Sequence, residues 1–147
     1  MKKYKIGYTT GVFDLFHIGH LNILRRAKEQ CEHLIVGVST DELVMRYKNK
    51  KPVIPFEERK QIVEAIKYVD EVVSQETLEK VDAYLHLKYI KGNIGKGAVF
   101  VGNDWKGSPT WNEYERKFKE IEVEVIYLPY TDGTSSTLLK QVLNELY

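Results

Sequence analysis

The chain has one cysteine, Cys31, among its 147 residues, so no internal disulfide can staple it and its core must carry the fold. It has no apolar run near the roughly 18 to 20 residues that span a bilayer, and no signal-type apolar segment with a small-residue cleavage site after "MKKYKIGYTT". Net charge is nearly absent as well: 22 basic and 21 acidic residues leave +1, too little for a global field that would draw the molecule to nucleic acid or a membrane. Any anion site must therefore be local. The expectation is a soluble, cytoplasmic protein that binds neither nucleic acid nor membrane. With 43% hydrophobic residues, the length suits a single domain over 1–147.

What the chain does have is alternation. "YKIGYTT" (4–10), "HLIVGVST" (33–40), "YVDEVV" (68–73), "AVFVGN" (98–103) and "EVEVIYLP" (122–129) read as strands. Between them lie helical spacings: Ile18, Leu21, Leu24 and Ala27 in the first, then "DELVMRY" behind the N-cap candidate Thr40. A helix follows with Pro55 predicted at its first position. Further helices are predicted over 76–88, "WNEYERKFKEI" and the closing "SSTLLKQVLNEL", with a glycine-rich linker, 91–97, that has no evident shape. Strands separated by helices imply parallel pairing with right-handed crossovers, hence a Rossmann-like doubly wound α/β sheet in three α/β/α layers. Ligands of such sheets bind beyond the carboxyl ends of the strands.

Four segments follow those ends. In "GVFDLFHIGH", Gly11 allows close approach, while His17 and His20 share the opening turn of a helix, where free N–H groups and the macrodipole favour an anion. Gly19 between them leaves room for a ligand. An isolated His-x-x-His pair also fits exposed polar residues or two metal ligands, but no third ligand is near in sequence, and the location favours phosphate chemistry. Asp14 reads either as a support for a helix end or histidine tautomer, or as a direct ligand contact. The second segment holds Arg46, Lys48, Lys50 and Lys51, a solvated run or a loop that folds over a polyphosphate. The third is "GNDWKG", in which Asp104 reads as an acceptor for a ribose or base, or a support for a metal, and Trp105 as a lid or a core aromatic. The fourth is "YTDGTSST", where Ser135, Ser136 and Thr137 exceed what one N-cap needs and suggest a second phosphate cradle, with Lys140 one turn on.

Taken together, "GVFDLFHIGH", "STDE", the lysine loop with "FEERKQIVEAIKYVDEVV", "GNDW" and "LPYTDGTSST" resemble the cytidylyltransferase group of nucleotidyltransferases, in order and over nearly the whole chain. The resemblance implies attack by a substrate phosphate on the α-phosphorus of CTP with release of pyrophosphate. The acceptor implied is a small phosphomonoester, glycerol 3-phosphate first, giving CDP-glycerol for cell-wall or capsule polymer precursors. It also implies Mg2+ carried with CTP and not ligated directly by the protein, and a homodimer contacting through 55–67 and "YVDEVV". By position, His17, His20, Lys48 and Ser136 would be catalytic. Gly11, Val12, Phe13, Asp14, Gly19, Asp104, Tyr130, Ser135, Ser136 and Thr137 would bind the nucleotide, and Lys48, Lys50 and Arg59 the acceptor, Arg59 sitting near it or at the site's edge. Two departures stand out: Tyr130 where the family's "RTEGIST" pattern begins with arginine, and Val12 where it often has a hydroxyl residue. Choline, ethanolamine or sugar phosphate acceptors remain open. So does an adenylyltransferase making FAD or a coenzyme A precursor, since "SSTLLK" resembles that branch's "SSTxxR". A non-catalytic nucleotide-binding module is the reading that Tyr130 supports. The literal "HIGH" does not argue for a tRNA synthetase, because the chain is short and no "KMSKS"-like segment is present.

Overall fold

The computed structural model describes residues 2–77, 79, 84, 96–129, 131 and 135–146. In chain order the elements are β1 (Tyr4–Gly11), α1 (Ile18–Gln30), β2 (Cys31–Ser39), α2 (Asp41–Lys48), α3 (Phe56–Glu64), β3 (Glu71–Gln75), β4 (Gly97–Gly102), α4 (Pro109–Glu120), β5 (Glu124–Leu128) and α5 (Ser136–Leu146). A 3-10 turn, Asn103–Trp105, follows β4. The strands form one parallel sheet in the order β3-β2-β1-β4-β5. The chain winds outward from β1 through β2 to β3, then restarts on the other side of β1, so the winding reverses between β1 and β4. The Rossmann-like, doubly wound sheet expected from the alternation is present.

A strand covered on both faces reads as a continuous apolar run, and β2 does, with every residue from Leu34 through Ser39 buried. Side chains alternate across the sheet. Leu34, Val36, Val38, Ala98 and Phe100 join Leu24, Ala27 and Val63 of α1 and α3 in one core, while Ile35 and Val99 join Trp111 and Phe118 of α4 in the other. These two cores are the interfaces of an α/β/α stack. Cys31 is fully buried in the first, and burial raises its thiol pKa to about 11, so it behaves as a small apolar group.

Helix starts follow capping chemistry. Thr40 Oγ1 accepts from Leu43 N–H at 3.1 Å, and Ser108 Oγ accepts from Trp111 N–H at 3.2 Å with Pro109 first in the helix. Pro55 differs from expectation: it is the N-cap of α3, not its first residue. The first residue is Phe56, whose N–H donates to Asp41 Oδ2 at 3.3 Å, a bond that proline cannot make. Most of the helix expected over 76–88 and most of the 91–97 linker lie outside the described residues, as do Tyr130 and Gly133.

Candidate active site

Where β1 and β4 diverge, a cleft of about 870 Å³ opens over the carboxyl ends of the strands. All four segments singled out in the sequence reach it. From the first motif come Gly11, Val12, Phe13, Asp14, His17, Gly19 and His20. Lys48, Lys50 and Lys51 come from the end of α2 and the loop after it; Asp104 and Trp105 from the turn after β4; and Ser135, Ser136, Thr137 and Lys140 from the start of α5.

His17 is itself the N-cap of α1: its Nδ1 accepts from Gly19 N–H at 3.0 Å, and Nδ1 of His20 accepts from His17 N–H at 3.2 Å. The two histidines form a reciprocal capping box, a role that serine and glutamate usually fill. Serine or aspartate would satisfy the helix end equally well but would leave nothing over. With Nδ1 accepting in each ring, the hydrogen-bond network assigns the ring proton to Nε2, which remains as a donor on the other edge. The ring centroids lie 3.9 Å apart, tilted by 33°. Burial lowers the pKa of His17, and it lowers that of His20 to about 4, with the neighbouring His17 adding to the effect and Asp14 opposing it. Both rings are therefore neutral donors at neutral pH before an anion binds.

Asp14 is 3% exposed and holds three segments together. Its Oδ1 accepts from Ile54 N–H at 2.9 Å, and its Oδ2 from Val53 N–H at 2.8 Å and Lys140 Nζ at 3.0 Å. Its carbonyl accepts from Ser136 Oγ at 2.5 Å. Burial alone would raise the carboxyl pKa, but the two N–H groups and the lysine outweigh it and hold the group below its usual value. Of the two roles the sequence left open, these bonds are those of a support: both oxygens are engaged within the chain, although Asp14 also lines the cleft. On either side of it Phe13 and Leu15 adopt left-handed backbone with φ of 55° and 52°. For residues other than glycine that conformation costs of order 1–3 kcal/mol each, so the surrounding bonds must impose it.

The hydroxyls divide their work. Ser135 Oγ accepts from Leu138 N–H at 3.0 Å and caps α5, Ser136 is bonded to the Asp14 carbonyl, and Thr137 stands exposed on the cleft wall. Asn49, left-handed at φ 57°, ends α2 and turns the lysine loop. Burial lowers the pKa of Lys48, as do the charges of Lys140 and Lys50, against the pull of Asp14. This convergence of like charge, together with two helix N-termini, is unfavourable until an anion arrives.

Arg59, expected near the acceptor or at the site's edge, is 1% exposed and is not among the residues that line the cleft. Its Nε donates to Ile54 O at 2.8 Å, its Nη1 to Val12 O at 2.7 Å and Ser39 O at 2.8 Å, and its Nη2 to Asp41 Oδ1 at 2.6 Å. A planar fork with several donors satisfies that set of acceptors, and those acceptors come from four parts of the chain.

The site residues chosen from sequence missed the inner face of α5. Gln141 and Asn144 line the cleft beside Ser136 and Lys140, whereas Leu138, Val142, Leu143 and Leu146 are 40–68% exposed. The polar spacing 136, 140, 144 was the available signal, one face of a helix at every fourth residue.

The Cytidylyltransferase-like family model matches residues 8–142. The glycerol-3-phosphate cytidylyltransferase of Bacillus subtilis (strain 168) is 40% identical over 134 residues, covering 90% of this chain and 92% of the relative. The FAD synthase of Pyrococcus abyssi is 37% identical over 120 residues, covering 82% of this chain and 77% of the relative. Among solved structures, the lipopolysaccharide core biosynthesis protein from Thermoplasma volcanium shares the fold with a TM-score of 0.68 at 22% identity, over 88% of this chain and 98% of that one. With a family match that spans residues 8–142 and a relative 40% identical that covers 90% of this chain, the chain belongs to the cytidylyltransferase-like family of nucleotidyltransferases.

Proposed function

We propose that the chain transfers a cytidylyl group from CTP to glycerol 3-phosphate, forming CDP-glycerol, an activated precursor for cell-wall or capsule polymers, and pyrophosphate. A phosphate oxygen of the acceptor bonds to the α-phosphorus of CTP as the bond from that phosphorus to the bridging oxygen breaks. Pyrophosphate leaves with the electron pair. A phosphomonoester is largely dianionic at neutral pH, its second pKa being about 6, so no general base is needed. The barrier is electrostatic, and donors fixed before reaction lower it most.

The observation that carries this reading is the neutral histidine pair, whose Nδ1 atoms are bound to backbone N–H groups and whose Nε2–H groups are left for a developing negative charge. His17 and His20 would bind the transferring phosphate. Thr137 and the free N–H groups of α5 would receive the outer phosphates, with the hydroxyls of Ser135 and Ser136 shared between that task and their present bonds. Lys48 and Lys50 would neutralise the triphosphate and the acceptor. Gly11, Val12, Phe13 and Gly19 would border the nucleotide, and Asp104 would accept from its ribose or base. Mg2+ would travel with CTP and screen its phosphate oxygens without a direct ligand from the protein; the Asp14 carboxylate is already committed to Val53, Ile54 and Lys140. Other functions in the reading are a cytoplasmic location and a homodimer. β3 at the sheet edge and Ile62, 43% exposed on α3, support contact through 55–73; a monomer in sedimentation at micromolar concentration would remove it.

A second reading, adenylyl transfer to a flavin or pantetheine phosphate, draws support from the FAD synthase relative and from "SSTLLK". One experiment separates them: incubation with Mg2+, either CTP or ATP, and a panel of phosphomonoesters, with products identified by mass spectrometry. CDP-glycerol is the expected product. An adenylylated product formed only from ATP selects the second reading, and nucleotide binding without pyrophosphate release leaves a binding module.

A further inference from the structure

The segment between β1 and α1 keeps Phe13 and Leu15 in left-handed backbone. Strain of that kind persists only where neighbours over-determine it. Immediately before Phe13, the Val12 carbonyl is held by Arg59 Nη1 at 2.7 Å, and the same guanidinium grips Ser39 O, Ile54 O and Asp41 Oδ1. Ile54 in turn gives its N–H to Asp14, so the bracing closes on itself across the ends of β1 and β2, the start of α2 and the lysine loop. Phe13, 6% exposed, stands 5.4 Å from the ring of His20, and Phe16 stands 5.2 Å from it. These rings exclude water from one side of that histidine.

We propose that Arg59 is a positioning residue for the histidine pair, acting through Val12 and Phe13 and touching no substrate. The inference rests on the reading of His17 and His20 as phosphate donors. Lysine is a poor replacement, because one ammonium on a flexible stem cannot satisfy acceptors spread around a planar fork.

The test is a ring-proton NMR titration of the four histidines, without substrate, in the wild type and in Arg59→Lys, beside steady-state kinetics. The charged and titratable groups near His20 are His17 and Asp14, the latter paired with Lys140. In the wild type His20 titrates near 4. In Arg59→Lys its midpoint climbs by about one unit or more toward the ordinary 6.5, as the Phe13 cover loosens and water enters. Turnover of CTP falls by roughly a hundredfold, the scale of one misdirected transition-state donor, while the acceptor KM stays within about threefold. An unmoved His20 midpoint in folded Arg59→Lys overturns the proposal, as does a loss confined to the acceptor KM. If that variant does not fold, Asp41→Ala removes the acceptor of one arm of the guanidinium and should move the same midpoint upward by less; no movement there is equally fatal. A wild type that releases no pyrophosphate from CTP would overturn cytidylyl transfer, and the titration would still judge Arg59.

Discussion

Nδ1 of His20 accepts the backbone N–H of His17 across 3.2 Å, while Nδ1 of His17 accepts from Gly19, so each ring serves the helix with one nitrogen and keeps the other. Structure and chemistry are thereby joined in the same two side chains, and they can be separated by substitution. His17→Asn keeps a good N-cap and should hold stability within about 0.5 kcal/mol, whereas His17→Ala should lose about 1 kcal/mol. Both should lower CTP-dependent pyrophosphate release by roughly 10² to 10³. Chemical denaturation alongside a pyrophosphate assay checks the pair; near-normal release from the folded Asn variant would refute the donor role.

The buried neutral state of His20 makes stability depend on pH. Its folded pKa, about 4, lies below the ordinary 6.5, so the unfolded chain takes up the proton first as pH falls. Stability from this group is complete above about 6.5 and is lost progressively down to about 4, by about 3 kcal/mol. Asp14, whose folded pKa is also depressed, adds a further loss on acidification, as pH passes below its ordinary 3.8. Urea denaturation at intervals from pH 7 to 4 should show this decline, and His20→Gln should flatten it across 6.5 to 4. An equal slope in both proteins would contradict the assignment.

Asp14→Ala removes the acceptor of two backbone N–H groups and the partner of Lys140 at a site 3% exposed. Leaving buried donors and a cation unpaired should cost about 3 kcal/mol or more, visible as a lower midpoint in thermal or urea unfolding. Asp14→Asn retains one acceptor oxygen and should cost less. If the alanine variant unfolds with the wild type, the three segments are not held by this carboxylate.

Gly11→Ala tests the cover over His20 from the other side. A Cβ at Gly11 would stand 3.0 Å from the Phe13 ring, so the ring must shift by a few tenths of an ångström or more. The variant should remain folded, losing about 1 to 3 kcal/mol as overpacked sites do, while turnover drops by about tenfold. Unchanged turnover would show that Phe13 has slack that the geometry does not suggest.

Local signals in the sequence were sufficient wherever the deciding interaction is itself local. β1, β2, β4 and β5 follow from apolar runs, and Thr40 caps a helix three residues from the N–H it serves. The histidine pair was legible for the same reason, because residues 17 and 20 meet across a single turn. Where long-range bonds decide, the readings shifted. Arg59 appears in sequence as a free cation on a helix, but its acceptors come from residues 12, 39, 41 and 54, and only the folded sheet brings them together. Asp14's support role was not legible because Val53, Ile54 and Lys140 arrive from 39 or more residues away.

By itself, the sequence determined an alternating parallel α/β chain with four ligand-facing segments and a helix start furnished with two imidazoles, since periodicity and capping act over a few residues. The tertiary structure alone decided which of its charges face the cleft and which brace it, and that the polar side of α5 turns inward. The physical reason is that a guanidinium or carboxylate bonds whichever partners the fold desolvates beside it, and neither the partner nor the burial is written in the neighbouring residues.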